Sequence, residues 1–431
     1  MHIYQINERR SLLTPGSILQ LIVATSILIA FTATDNAYAA DKKYSFDEAI
    51  KDEDKGIIQL NPKDPTYNLF KKQRDTSKDP KREPGPIYLD RQAWGSPFLG
   101  IPTFLKRPVA ITPADLIAGK VDAAYLGMGF DFNSVRRGAL LGPQAIRTAE
   151  VLIHWKADGT ASHEHTDTMI DPLHVLNVVD YGDASIEFLS LERTINEAIP
   201  LVREAAKTGA ALLIAGGSHS VPYPAIRGIV EANGGKGSVS VVHFDSHQDA
   251  APYAMGHPAH YGTFIRSIVD DNLVKPGDII QVGMRGPVNS IAALEWQREV
   301  GINLHHMAEI RKRGWDVVGD EILATLKAGP KKVYISIDLD FYDASVAQGT
   351  TAPSHGGPMP TEFFPLLRAM CIQNECVGID IVEVQPNLDD QAKSTMRLAS
   401  RTFYEALVGM ALRKQGISDP WYIHPKVLNK K

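Results

Sequence analysis

Apolar runs of strand length alternate with longer amphipathic stretches from about Val121 onward, and this alternation is the strongest constraint on the fold. The runs are AAYLGMG (123–129), VLNVVDYG (175–182), ALLIAGG (211–217), VSVVHFD (239–245), DIIQVGM (278–284), KVYISIDLD (332–340) and ECVGIDIVEV (375–384). Between them lie segments such as IEFLSLERTINEAIPLVREAAKTG (186–209). Strands apolar on both faces, separated by helices, imply a mainly parallel twisted sheet covered on each side, a three-layer α/β/α unit. In such sheets ligands collect beyond the carboxyl ends of the strands. Several of these runs end in charge. HFDSHQD occupies 243–249, SIDLD 336–340 and GGSHS 216–220.

Buried carboxylates and imidazoles are costly unless something cationic compensates them. Asp245, His247 and Asp249 are spaced by two, which in an extended chain aims them to one side. Asp338 and Asp340 repeat the spacing, and His219 adds a second imidazole. Four carboxylates, which can bridge, and two imidazoles suffice for two divalent cations. An oxygen-rich set favours Mn2+ over zinc and admits Ni2+.

Composition narrows the classes. The 431 residues carry a formal net charge of −5 and no long basic block, so nucleic acid is not an expected partner. At 44% hydrophobic the chain can bury a sizeable core. Two cysteines, Cys371 and Cys376, are too few for a disulfide scaffold or a zinc ribbon. SHEHTD (162–167) has metal-like histidine spacing but reads as a solvated loop. Trp94, Phe98, Phe104 and Trp155 read as packing residues.

At the N-terminus, Arg9 and Arg10 precede an apolar run from Ile18 to Ala33, followed by Ala37-Tyr38-Ala39. That order predicts a signal peptide over 1–39, cleavage after Ala39, export to a periplasm or the outside, and no stable membrane association afterwards. Residues 40–105, charged and dotted with proline, read as an extension on the globular body. A catalytic domain then spans 106–420 and a tail 421–431.

Taken together, the motifs resemble the ureohydrolases, the family of arginases and agmatinases. GGSHS is similar to the family's Gly-Gly-Asp-His-Ser, HFDSHQD to its Asp-Ala-His-x-Asp, and SIDLDFYDAS (336–345) to its Ser-x-Asp-x-Asp-x-x-Asp-Pro. VGIDIVEVQP (377–386) resembles the strand that carries the substrate-binding glutamate. GFDFNSVRRGALLGPQAIR (129–147) is similar to the entry segment of agmatinase-like members. QVGMRG (281–286) and GTTAPSHGG (349–357) also have counterparts. The resemblance covers about residues 121–410, in the family's order.

The resemblance implies a metal set of His219, Asp245, His247, Asp249, Asp338 and Asp340, with two Mn2+ or Ni2+ ions. It also implies attack of an activated water on a guanidinium carbon, releasing urea and an amine. Asp249 would orient that water, Glu383 would bind the guanidinium, and His260 in PAHYGTFIR (258–266) would shuttle the proton, with Tyr261 of the same segment and the preceding His257 as alternatives. The substrate would be agmatine, a guanidino acid or guanidine, with Arg136, Arg137 or Arg285 available to a carboxylate. A homo-oligomer, trimer or hexamer, is also implied. The sequence departs from the family at Ser218, where Asp is usual, and at Ala344 and Gln348, which replace prolines. Two rivals are a non-catalytic exported metal-binding protein on the same fold and a formimino-substrate hydrolase. For export, N-terminal sequencing of protein from its native cell should give a mature chain starting near Ala40; an intact Met1 in the cytosolic fraction would contradict it.

Overall fold

A computed structural model describes residues 45–53, 63, 81–89, 99–132, 136–149, 154–155, 161–288 and 290–428. The expected leader and Ala40 start, together with Trp94, Phe98 and the side chain of Trp155, lie outside the described residues. All seven expected strands form. They are β1 (Ala123–Met128), β4 (Val178–Asp183), β5 (Ala211–Gly216), β6 (Val239–Phe244), β7 (Ile279–Val282), β9 (Lys332–Asp338) and β10 (Glu375–Val382). An eighth, β8 (Asn303–His305), is three half-buried residues at the sheet edge, too short and too polar to stand out in the sequence. The strands β2 (His154–Trp155) and β3 (Ala161–Ser162) pair separately as a small antiparallel ribbon.

The large sheet has the order β4-β1-β5-β10-β9-β6-β7-β8, and every pair in it is parallel. Side chains alternate between two cores as the two-residue strand period requires. Val333, Ile335 and Ile337 of β9 face one core with the helices 315–328, 360–373 and 394–414. Tyr334 faces the other with the helices 191–206, 222–232 and 264–270. The result is a three-layer α/β/α unit. The predicted helix of 186–209 starts later, at Leu191, because the Ser190 hydroxyl accepts from the Arg193 N–H and caps it there. No helix among the described residues is long and apolar enough to cross a membrane.

Part of the N-terminal segment docks on this body. The helix Phe46–Glu53 buries Phe46 against Tyr223, ring centroids 5.2 Å apart, and Asp47 accepts from Arg227 at 3.0 Å.

One expectation is overturned here. SHEHTD is not simply a solvated loop, because His165 is buried with its Nε2 3.3 Å from Glu405 Oε1. Glu405 sits fully buried on the last helix, receiving Arg368 at 2.5 Å and Arg401 at 2.6 Å. The charge on Glu405 needs those partners, and they draw the loop inward. Burial by itself pushes the Glu405 carboxyl up, but His165, Arg368 and Arg401 outweigh it and hold the carboxyl down at about 2. A depressed folded-state pKa gives stability that is complete above the unfolded value and lost as pH falls through the folded one. Thermal melts should therefore show this carboxylate's contribution, about 3 kcal/mol, disappearing between about pH 4.5 and pH 2. Glu405→Gln should lower the melting temperature near neutrality and flatten that acid limb; an unchanged profile would remove the group from the account.

Candidate metal centre

The four central strands of the sheet, β5-β10-β9-β6, are consecutive in space but not in the chain. Their carboxyl ends carry every acid and imidazole singled out as a ligand, together with Glu383. β5 runs into His219. The preceding Gly217 has no room for a side chain, since a Cβ there would lie 1.8 Å from the Phe130 carbonyl oxygen. The chain after β1 packs directly on this turn, with Gly217 N–H donating to Met128 O at 2.9 Å and Ser218 N–H to Phe130 O at 2.8 Å.

After β6 the backbone does not stay extended. Asp245 follows the strand directly, the chain bends at Ser246 and His247, and Asp249 has a left-handed φ of +46°. The spacing by two therefore brings three side chains together through a turn, not along a straight strand. Asp338 ends β9 and accepts the Asp340 N–H at 2.8 Å, which starts the short 3-10 turn Leu339–Phe341. Glu383, just past β10, also has a left-handed φ, +56°, and its N–H donates to Gly217 O at 2.7 Å. Left-handed backbone at non-glycine residues costs energy and concentrates at functional sites.

The geometry is that of a cation site. His219 Nδ1 lies 3.1 Å from Asp245 Oδ2, 2.9 Å from Asp249 Oδ2 and 3.2 Å from Asp338 Oδ2. Yet this buried nitrogen makes no hydrogen bond. A buried imidazole nitrogen facing three carboxylate oxygens suits a shared metal ion. His247 Nδ1 lies 3.2 Å from Asp245 Oδ1 and 3.0 Å from Asp340 Oδ2. The ligand atoms thus fall into two groups, His219/His243/Asp245/Asp249 and Asp245/His247/Asp340, which share Asp245. Oxygen-rich donors in two groups with a common carboxylate fit two divalent cations.

Charge gives the same answer. Burial raises the Asp338 carboxyl well above its ordinary range, and Asp340 and Asp245 raise it further. Asp340 is raised by burial and by Asp245. Burial opposes a charge on His247, but Asp245 and Asp340 push its imidazole up to about 12. The acids cannot all ionise side by side without a cation between them.

His219 is held from behind as well. Its Nε2 lies 3.2 Å from Ser336 Oγ, whose hydroxyl donates to Asp380 Oδ1 at 2.8 Å, and Tyr334 donates to the other Asp380 oxygen. Ser218 pairs with Ser220 Oγ at 2.7 Å.

A cavity of about 950 Å³ opens onto the cluster. His219, His247, Asp249, Asp338, Asp340 and Glu383 line it on one side, and Tyr253, Met255, Tyr261, Ala293, Pro353 and Arg136 on others. His260 is buried beside the wall, its ring 4.0 Å from that of Tyr261 and stacked on His257 at 5.9 Å. Burial and His257 lower its pKa to about 4, so the ring is neutral near pH 7. His257 is half exposed and paired with Glu192. Of the three arginines, Arg136 lines the cavity and donates to the Thr351 carbonyl; Arg137 donates to the Asp131 carbonyl. Arg285 is used structurally, binding the carbonyls of Asp340, Tyr342, Ser354 and His355 at 2.6–3.2 Å.

Comparison with known proteins places this site in a lineage. The family model described as the arginase family matches residues 121–409. The chain belongs to the arginase family. Proclavaminate amidinohydrolase of Streptomyces clavuligerus is 33% identical over 309 residues, covering 71% of this chain and 92% of that one. Guanidinobutyrase of Pseudomonas aeruginosa is 29% identical, covering 72% and 92%. The solved structure of the Streptomyces clavuligerus amidinohydrolase superposes with a TM-score of 0.65 at 30% identity, covering 74% of this chain and 100% of that one. As an arginase-family protein with agmatinase-like relatives, the chain is a hydrolase.

His243 joins this cluster and is the residue that motif reading passed over. It shares the spacing by two with Asp245, His247 and Asp249, and that parity is the signal that marks it. Because the ligand cluster repels itself when empty, chelator-treated protein should melt at a higher temperature as Mn2+ is added. A ligand present at a hundred times its Kd stabilises by about 2.7 kcal/mol. Asp245→Asn should blunt the response; an equal shift in wild type and variant would place the binding elsewhere.

Proposed function

We propose that this arginase-family hydrolase cleaves a guanidino compound to urea and an amine at a site holding two divalent cations, Mn2+ by preference. The observation that carries the reading is Glu383. Its carboxylate is buried in the wall of the cavity that the metal ligands line, and its Oε1 accepts the His219 N–H at 2.6 Å. Burial pushes its pKa up to about 7, against hydrogen bonding from Thr351 and the charge of His219. A carboxylate in that position gains from a cationic partner, and a guanidinium is a planar one that pairs in two hydrogen bonds.

His219, Asp245, Asp249 and Asp338 would hold one cation, and Asp245, His247 and Asp340 the other. When bound, such a pair supplies Lewis acidity and makes water nucleophilic near neutral pH. The chain's own residues do the rest. Glu383 fixes the guanidinium against the ligand cluster. Asp249, at the cavity floor with its strained backbone, orients the attacking water by accepting its hydrogen bond. Tyr253, Met255, Ala293 and Pro353 give the rest of the substrate an apolar wall. Proton transfer to the leaving amine falls to the 257–261 segment, where His260 is a neutral imidazole and Tyr261 reaches the cavity.

Two relatives' names bracket the chemistry: guanidinobutyrase, and formimidoylglutamase of Bacillus subtilis at 29% identity over 67% of this chain. A urea-release assay over guanidino compounds, run beside a formimino substrate, separates them. Glu383→Gln keeps the shape and removes the charge. Loss of one partner of a buried charged pair costs about 3–5 kcal/mol. That is roughly two to three and a half orders of magnitude in kcat/KM. Metal analysis of the same variant should still give close to two equivalents. Near-normal turnover, or a variant stripped of metal, would refute the assignment.

A further inference from the structure

His243 lies on β6, fully buried, two residues before Asp245. Its ring packs 5.0 Å from that of His219 and 4.9 Å from Phe264. By position alone it belongs to the group His219/His243/Asp245/Asp249 and would serve as a ligand itself. Hydrogen-bond accounting assigns it a different part.

The deciding group is Gln281 on β7, also fully buried. Its amide nitrogen lies 2.9 Å from His243 Nδ1 and 2.8 Å from the Gln248 carbonyl oxygen. Its amide oxygen accepts from Gln297 Nε2. A carbonyl oxygen can only accept, so the Gln281 nitrogen must face Gln248, and the reversed amide would set two oxygens against each other. One of the two amide hydrogens goes to Gln248, and the other to His243 Nδ1. The His243 proton therefore sits on Nε2, which is 3.0 Å from Asp245 Oδ2 and donates to it. Both ring nitrogens are then engaged, and neither has a lone pair for a cation.

We infer that His243 is a positioning residue for Asp245, and that the buried relay Gln297–Gln281–His243 sets the affinity of the centre for its cations. Asp245 is the carboxylate common to both ligand groups, so its orientation governs both. The Asp245 carboxylate is gripped from two sides: His243 at Oδ2, and the His247 N–H at Oδ1 at 2.5 Å. Partners behind a metal ligand fix its orientation, and their loss costs 10–100-fold in affinity. The relay also reaches the cavity wall. Gln297 belongs to the helix Ile291–Val300, which supplies Ala293 to the lining. The inference rests on the two-cation reading above.

The test uses full-length protein freed of metal by chelation and titrated with Mn2+ in a calorimeter. His243→Phe keeps the ring packing and removes the donor. Gln281→Met keeps the volume and removes the amide that sets the tautomer. Both variants should still take up two equivalents, with affinity about 10–100-fold weaker than wild type. The melting temperature of the metal-free form should stay within a few degrees. If His243→Phe saturates at one equivalent, His243 is a ligand and the inference fails. If both variants match wild-type affinity within about twofold, the relay does not act, and the inference fails while the metal reading stands. Should His243→Phe not fold, Gln281→Met, one bond further from the cations, decides by the same two criteria. A wild type that takes up no Mn2+ overturns the metal reading and this inference with it.

Discussion

The crowding of carboxylates around imidazoles at the ends of four adjacent strands is the interaction on which the rest of the site depends. Three acids approach one buried imidazole nitrogen within 3.2 Å. Repulsion of that size in a buried place has few remedies. Protonating the acids would discard the ligands, whereas a divalent cation uses them. The surrounding fold acts to keep the acids from spreading apart. Gly217 lets the chain after β1 press on the turn that carries His219, and left-handed backbone at Asp249 and Glu383 aims two further acids inward.

Behind the ligands lie two polar relays, both buried. Ser336, Asp380 and Tyr334 stand behind His219, while Gln281 and Gln297 stand behind His243. Buried polar chains are costly when incomplete and confer a single geometry when their donors and acceptors are matched. Here the first relay stands behind the His219 imidazole and the second, through His243, behind the Asp245 carboxylate. The Asp380 carboxyl illustrates the cost. Burial holds its pKa up at about 6, against the favourable effects of His219, Tyr334 and Ser336.

The cavity wall divides into a charged floor and a less polar rim. The floor is the ligand cluster and Glu383. Short loops form the rim, with Tyr253, Met255 and Tyr261 on one and Pro353 on another. Arg285 ties the second of these loops down through backbone carbonyls, which removes it from contact with substrate but stabilises the pocket mouth. On the proposed reading, rim residues of this kind would choose among guanidino compounds, while the chemistry at the floor would be common to all of them.

The periodicity of the apolar runs already determined seven of the eight strands of the large sheet and the helical layers, and the acids at the run ends pointed to a cation site. Those features are local: alternation in two cores, and clustered acids at run ends, are written in consecutive residues. The edge strand Asn303–His305 escaped because three half-buried residues carry no period. The interior position of His165 escaped because its partners, Glu405 and Arg368, lie more than two hundred residues away in the chain. Tertiary structure alone decided that β5, β10, β9 and β6 are neighbours, and so that their ends meet. It also decided which nitrogen of His243 carries the proton, since a glutamine on another strand and a carbonyl in another loop settle that between them. Sequence specifies which groups are present, whereas hydrogen-bond direction and charge proximity exist only once distant segments are packed together.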